Sequence, residues 1–399
     1  MKYSLSSLLL SALLPQSLVL ARPVNNDTLL YDAVIVGGGP AGLSTLSALG
    51  RVRRNTLLID SGEYRNGPTR HMHDVIGFDG VTPAWYRYAA RKQIESYPTT
   101  SAINGTVTKI EGNNNDNFVV SYTADGQTTS VKTRKIVLGT GLHDILPSTP
   151  GLQEIWGKGV YWCPWCDGNE HADQPLGLLG NLTDVASLVR EILTLNTDLI
   201  AFVNGTDTPE IRKIAEKETP EFQKFLSLHN VTIENRTIAS FTRLQDGGAH
   251  PADPSLPTAP EHDLFRVDFT EGPSVERAAF FVSYPDEQRS SLGADAGVEL
   301  LGGRLNAPVG KGHLTNVNGI YAIGDANSDN STNVPHALYS GKRAAVFLHV
   351  RLGKEDQAKE TGVDLDLLLK RDSELEERSV WEVANGQVGD ILYAGEYDQ

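Results

Sequence analysis

The only two cysteines of this 399-residue chain stand three positions apart, in Tyr161-Trp162-Cys163-Pro164-Trp165-Cys166-Asp167-Gly168. A disulfide across so short a loop removes little entropy from the unfolded chain, so it makes a weak staple. As half of a zinc site the pair lacks both a second cysteine pair and histidines at finger spacing. The reading that fits is a redox-active dithiol, and a dithiol of that kind needs an electron partner.

The partner must be held by the elements that precede it. Asp32 to Val36 reads as a short buried strand, followed by Gly37-Gly38-Gly39-Pro40-Ala41-Gly42 and then by helical apolar spacing from Leu43 to Leu49. Thr56 to Ile59 predicts a second strand, closed by Asp60. In this strand–turn–helix–strand unit, Gly37 makes the tight turn, Gly39 lets a pyrophosphate approach the backbone, and Gly42 lets helix and strand pack closely. The helix N-terminus, opening on Pro40 and Ala41, faces the phosphates, and Asp60 is placed to accept from ribose hydroxyls. Two further strands end in comparable turns: Lys135 onward at Gly139-Thr140-Gly141, and Gly319 onward at Gly324-Asp325.

Those three fingerprints resemble the disulfide-reductase flavoproteins, and a CxxC followed by Asp-Gly is similar to the active site of low-molecular-weight thioredoxin reductases. Asp60-Ser61-Gly-Glu-Tyr-Arg65-Asn66, His71-Met-His73, and Ser331-Thr-Asn333-Val334-Pro-His336 look like signatures of one subgroup, the fungal FAD-dependent thiol oxidases. These include secreted sulfhydryl oxidases and the dithiol oxidases that close disulfides in gliotoxin-type metabolites. The resemblance spans about 30–350 and implies two Rossmann-like, three-layer ββα domains, the FAD domain being discontinuous. It further implies FAD as cofactor, with Gly37, Gly39, Pro40, Ala41, Gly42, Asp60, Ser61, Arg65, His73, Gly139, Asp325, Asn333 and Val334 around it, Asp325 at the ribitol. Cys163 is then the outer, interchange sulfur and Cys166 the one against the flavin. Asp167 is the expected acid/base and also a fit for a helix N-cap. His336 reads either as a base for the substrate thiol or as a packing histidine. Trp162 and Trp165 read either as a substrate wall or as core.

A thioredoxin reductase also needs an NADPH site in its second domain. Here Gln174-Pro-Leu-Gly177-Leu-Leu-Gly180-Asn181-Leu182 keeps the strand but loses the glycine pattern, and acids follow Val203. Electrons are therefore expected to enter from small-molecule or peptide thiols and to leave through the flavin to molecular oxygen, giving hydrogen peroxide.

The start of the chain reads as a secretory signal, with Lys2 before an apolar run from Leu8 to Leu20 that is short for a membrane span. Seven Asn-x-Ser/Thr triplets, at Asn26, Asn104, Asn181, Asn204, Asn230, Asn235 and Asn330, agree with export. A net charge of −15 argues against nucleic acid and anionic membranes as partners. The expected organisation is a signal peptide over 1–21, FAD-binding segments over 28–146 and 308–352, a redox domain over 147–307, and a C-terminal extension over 353–399. Gln245 to Asp263 reads as a long surface loop, and Val363 to Asn385 carries helical spacing that could embrace a second copy in a homodimer. No metal site is expected.

Overall fold

The computed structural model describes residues 30–112, 117–248 and 258–374. The expected signal peptide, the Asn26 triplet, the middle of the Gln245–Asp263 loop and the end of the expected C-terminal helix lie outside these residues. No helix among the described residues is long and apolar enough to cross a membrane.

The first domain is built on a seven-stranded sheet. Its core strands are β1 (Leu30–Val36), β2 (Thr56–Asp60), β3 (Thr100–Asn104) and, after the antiparallel pair β4 (Thr106–Glu111) and β5 (Phe118–Ala124), the long β6 (Gln127–Leu138). β1 lies parallel between β2 and β6, and the late strand Ile320–Ala322 pairs parallel with β6, so the domain is assembled from both ends of the chain. The centres of β1, β2 and β6 are continuous apolar runs because both faces of the sheet are covered. Helix α1 (Pro40–Arg51) packs one face with the helix Val334–Thr361, through Leu43, Leu46, Ala344 and Leu348.

Two strands cross to the second domain: β7 (Leu142–Asp144) and Asp286–Gln288, paired antiparallel. That domain holds a five-stranded parallel sheet of β8 (Val160–Tyr161), β9 (Leu176–Leu179), β10 (Leu199–Phe202), β11 (Thr232–Glu234) and Ala279–Val282. A three-stranded antiparallel sheet, Ile238–Gln245, Leu264–Phe269 and Val275–Arg277, covers one side and shares a core with it through Phe202, Phe265 and Phe280.

Three expectations need correction. The stretch after Asp286–Gln288 belongs with the first domain and not the redox domain, because Leu292, Val298 and Leu305 are buried with Val34, Val36 and Leu138 of the first sheet. The helix beginning at Val334 runs unbroken to Thr361, across the expected boundary at 352 between the FAD-binding segment and the C-terminal extension, and stops at Gly362. The Gln245–Asp263 loop is not all surface, since Glu261 and Asp263 at its end are buried. The C-terminal stretch does form a helix, Leu365–Glu374, which folds back so that Lys354 Nζ donates to the Leu368 carbonyl at 2.9 Å.

Candidate active site

A deep cavity lies between the two domains, and the turn after β1 forms one end of it. Gly37 has φ +105°, and a Cβ there would stand 2.3 Å from the Gly139 carbonyl oxygen; at Gly42 it would stand 1.9 Å from the Gly37 carbonyl oxygen. Both positions thus require glycine if β1, β6 and the N-terminus of α1 are to meet. At Gly39 the same atom would meet nothing within 4 Å, since that position opens into the cavity. The first turn of α1 carries Pro40 and no acid, so its unpaired amides and positive dipole end stay available to an anion. This cradle fits the pyrophosphate of a dinucleotide.

Gly37, Gly39, Pro40, Ala41, Ser61, Arg65, His73, Gly139, Asp325, Asn333 and Val334 line the cavity, as do Cys166 and Asp167. Gly42 sits just behind, in the turn. Asp60 does not line it. Its carboxylate tucks beneath Gly38, accepts from Tyr64 Oη at 2.5 Å and the Gly62 N–H at 3.0 Å, and pairs with Arg91. The expected ribose acceptor is thereby engaged by the protein itself, and Glu63, three residues on, is a carboxylate that does line the cavity. Arg65 lies 2.5 Å from Asp144, 3.2 Å from Asp286 and 3.3 Å from Asp325, so it clasps both crossing strands and the late aspartate together. Burial raises the Asp325 carboxyl, and Arg65 opposes that rise.

Cys163 and Cys166 form a disulfide with Cα atoms 5.2 Å apart. Cys163 precedes the single helical turn Pro164–Asp167, whose N-terminal proline presets the backbone. Cys166 faces the cavity while Cys163 does not, and Trp165 between them is 71% exposed. Trp162 lines the cavity and stacks on Trp156 at 5.1 Å, with the Arg65 guanidinium 5.3 Å from its ring. Asp167 closes the turn rather than capping its N-terminus. Burial pushes its carboxyl well above the usual carboxylate range; the Glu170 and Glu261 charges push the same way and Arg70 opposes them.

His336 lies at the start of the helix Val334–Thr361, where Asn333 caps by accepting the His336 N–H at 2.8 Å. Its ring does not line the cavity; Nε2 stands 2.8 Å from Asp329 Oδ2. The structure therefore does not bring His336 to the dithiol. His73 does reach the cavity wall, with Nε2 3.5 Å from Glu170 Oε1 and Nδ1 3.4 Å from Asp79 Oδ2.

A buried charged cluster beside the dithiol has no signal in the sequence. Arg70 pairs with Asp263 at 2.8 Å and with Glu261, while His71 Nδ1 lies 3.2 Å from Glu261 Oε1. Burial alone would raise the Glu261 carboxyl, but His71, Arg70 and His171 outweigh it and hold the group down at about 2. His171 Nε2 lies 3.0 Å from Tyr161 Oη, and its ring is held below its ordinary pKa by burial. His171, Glu261 and Asp263 have the spacing of a metal cluster, but the Arg70 guanidinium already occupies the two carboxylates.

The second glycine turn differs from the first. After β9, the Asn181 N–H donates to Asp184 Oδ2 at 3.0 Å, the Leu182 N–H to Thr206 Oγ1 at 3.0 Å, and the Thr183 N–H to Asn181 Oδ1 at 3.2 Å. The amides that could cradle a phosphate are taken by the chain's own oxygens, one of them a carboxylate. Asp207, expected to repel phosphate, is neutralised by Arg212 at 2.6 Å.

Residues 31–341 match the pyridine nucleotide-disulphide oxidoreductase family, and the chain belongs to it. Among its relatives, a probable thioredoxin reductase of Arthroderma benhamiae is 46% identical over 355 residues, covering 87% of this chain and 86% of the relative. The thioredoxin reductase tcpT of Claviceps purpurea is 28% identical, covering 81% of this chain and 94% of its own. Among solved structures, the putative thioredoxin reductase TrxB of Bacillus anthracis superposes with a TM-score of 0.70 at 24% identity, covering 82% of this chain and 99% of its own. The fold is thus that of the thioredoxin reductases, and the protein is a flavoprotein oxidoreductase of that type.

Proposed function

We propose that this protein is an FAD-dependent thiol oxidase that joins two thiols in a disulfide and reduces oxygen: 2 RSH + O2 → RSSR + H2O2. The observation that carries this reading is the contrast between the two glycine turns. The first opens on the cavity that Cys166 also lines; the second is filled by Asp184 and Thr206.

The chain's own residues account for the thiol half. A substrate thiolate attacks Sγ of Cys163, which is not among the cavity-lining residues, and breaks the Cys163–Cys166 bond. Cys166 leaves as a thiolate at the cavity wall. A second substrate thiol displaces Cys163 and releases the substrate disulfide. Asp167, adjacent to Cys166 and with its carboxyl pushed well above the usual carboxylate range by burial, supplies the proton that a departing thiolate takes up. Bound FAD would supply the two-electron acceptor that restores the disulfide and passes the electrons to oxygen. Secretion, glycosylation at some of the exposed triplets and homodimer formation belong to the same reading.

The second reading is a disulfide reductase of thioredoxin reductase type with an atypical donor, and the names of the relatives favour it. Oxygen uptake by the FAD-loaded protein with dithiothreitol or glutathione, without NADPH, decides between them. Uptake with stoichiometric peroxide supports the oxidase; no uptake, with disulfide reduction from a pyridine nucleotide, removes it.

A further inference from the structure

The described β-structure joins the two domains by one ribbon, three residues from β7 and three from Asp286–Gln288. So slight a link is a hinge unless other contacts hold the domains together. The loop after β2 supplies such a contact. From the first domain, Arg70 Nη1 and Nη2 reach Asp263 Oδ2 and Oδ1 at 2.8 and 3.0 Å, a two-pronged fork. The same guanidinium meets Glu261, and Asp246 at 2.7 Å. All three carboxylates belong to the second domain. The Asp263 and Glu261 side chains are 0% and 5% exposed, and that of Arg70 is 13% exposed.

The connection continues to the dithiol. The Glu261 N–H donates to the Glu170 carbonyl at 2.8 Å, and Gln174 Nε2 binds both the Glu170 and Glu261 carbonyls at 3.1 and 3.0 Å. Glu170 lies in the turn that directly follows Asp167. Without Arg70, the two buried carboxylates would lose the guanidinium that bridges them across the domain boundary. Arg243, 3.8 Å from Asp263, belongs to the second domain itself, and His71, 3.2 Å from Glu261, reaches only one of the two. Separation of the domains would therefore relieve them by hydration.

We propose that Arg70 is a positioning residue: an electrostatic latch that keeps the second domain docked, with Cys166 on the cavity wall. The proposal rests on the reading that the dithiol works at this cavity, and it narrows the substrate class. With the domain held in place, a thiol must come to Cys163 where it stands, which suits small thiols and cysteines on flexible segments rather than a partner that needs the dithiol swung outward.

The test uses the full-length FAD-loaded protein, its disulfide reduced anaerobically, with iodoacetamide as probe and peptide mapping of each cysteine. In the parent, Cys163 is alkylated first and Cys166 is protected. In Arg70→Met, Cys166 alkylation rises roughly tenfold or more, because reactivity follows access. Arg70→Lys, which keeps the charge but not the fork, restores part of the protection. Asp263→Asn weakens the same cluster with little change of shape, and it decides the matter should Arg70→Met fail to fold. Cys166 as protected in the folded variant as in the parent overturns the latch. Oxygen uptake is measured on unalkylated portions of the same preparations: a parent that shows the protection pattern yet consumes no oxygen with thiols leaves the latch standing and removes the oxidase reading.

Discussion

Asp184 Oδ2 accepts the backbone N–H of Asn181 at 3.0 Å, at the point where a nucleotide-binding domain would offer that N–H to a phosphate. A carboxylate in that position consumes the donor and repels the anion. NADPH and NADH are therefore expected to leave the flavin spectrum unchanged under anaerobic conditions, whereas excess dithiothreitol bleaches it. Rapid bleaching by NADPH at micromolar concentration would mean that the turn rearranges and the domain keeps its nucleotide site.

The first nucleotide turn is legible in the sequence because each of its residues has a local reason: Gly37 and Gly42 are forced by backbone approaches that spacing alone reveals. Loss of the second site is legible too, but for an incomplete reason. The bulk of Asn181 and Leu182 is what the sequence offers, while the structure shows Asp184 and Thr206 using up the amides. The Arg70 cluster is not legible, since Arg70 and Glu261 are 191 positions apart and nothing local pairs them. His336 escapes for a related reason. Its position at a helix start follows from the sequence, but the direction of its ring depends on Asp329 in the preceding loop.

Asp167→Asn should keep the disulfide and the bound flavin, yet slow thiol oxidation by roughly 10²–10⁴-fold if the carboxyl transfers a proton in the slow step. A pH profile adds a sign. Burial raises this pKa, so the proton-donating form persists well past the ordinary carboxylate range and is lost as pH climbs through the raised value. The parent rate should fall with rising pH across that limb, and the Asn variant should lack it. An Asn variant with the parent's rate and profile excludes Asp167 as the donor.

Trp165 stands between the two cysteines and is 71% exposed, whereas Trp162 is packed against Trp156. Trp162 also lines the cavity, so it is wall and core at once, while Trp165 stands exposed beside the dithiol and off the cavity wall. Trp165→Ala should raise KM for thiols with an aromatic or alkyl body. The rise should be roughly tenfold if about 50–60 Å2 of apolar surface then stays in water, at about 25 cal/mol per Å2. Dithiothreitol, which has little apolar surface to place there, should change by no more than about twofold. An equal rise with every thiol would assign Trp165 to the shape of the turn instead. Trp162→Ala should lower Tm, because it removes the stacking on Trp156.

Glu261 gives a prediction about acid. Its pKa is depressed in the folded protein to about 2, against an ordinary value of 4.5. A depressed carboxyl contributes stability that is fully present above 4.5 and is lost as pH falls towards 2. The difference corresponds to at most about 3 kcal/mol, at about 1.36 kcal/mol per pKa unit. Urea unfolding of the parent from pH 7 to pH 3 should show this loss setting in below about pH 4.5. Glu261→Gln should be less stable at pH 7 and show a shallower acid limb. Parallel pH dependences for the two proteins would mean that the Arg70 cluster does not hold Glu261 as described.

The two cysteines should separate by spectrum as well as by activity. Cys166 lies on the cavity wall and Cys163 does not, although one disulfide joins them. Both Cys163→Ser and Cys166→Ser should abolish turnover, because neither can form the disulfide that a substrate thiolate attacks. In Cys163→Ser, the remaining Cys166 thiolate should face the bound flavin and give a long-wavelength charge-transfer band that grows as pH rises through its pKa. In Cys166→Ser that band should be missing, since a serine hydroxyl is not ionised near neutral pH and Cys163 does not line the cavity. Titrating both variants from pH 6 to pH 9 while following absorbance beyond the main flavin bands makes the comparison direct. A band in Cys166→Ser and none in Cys163→Ser would reverse the two roles. Full oxidase activity in either variant would take the dithiol off the electron path altogether.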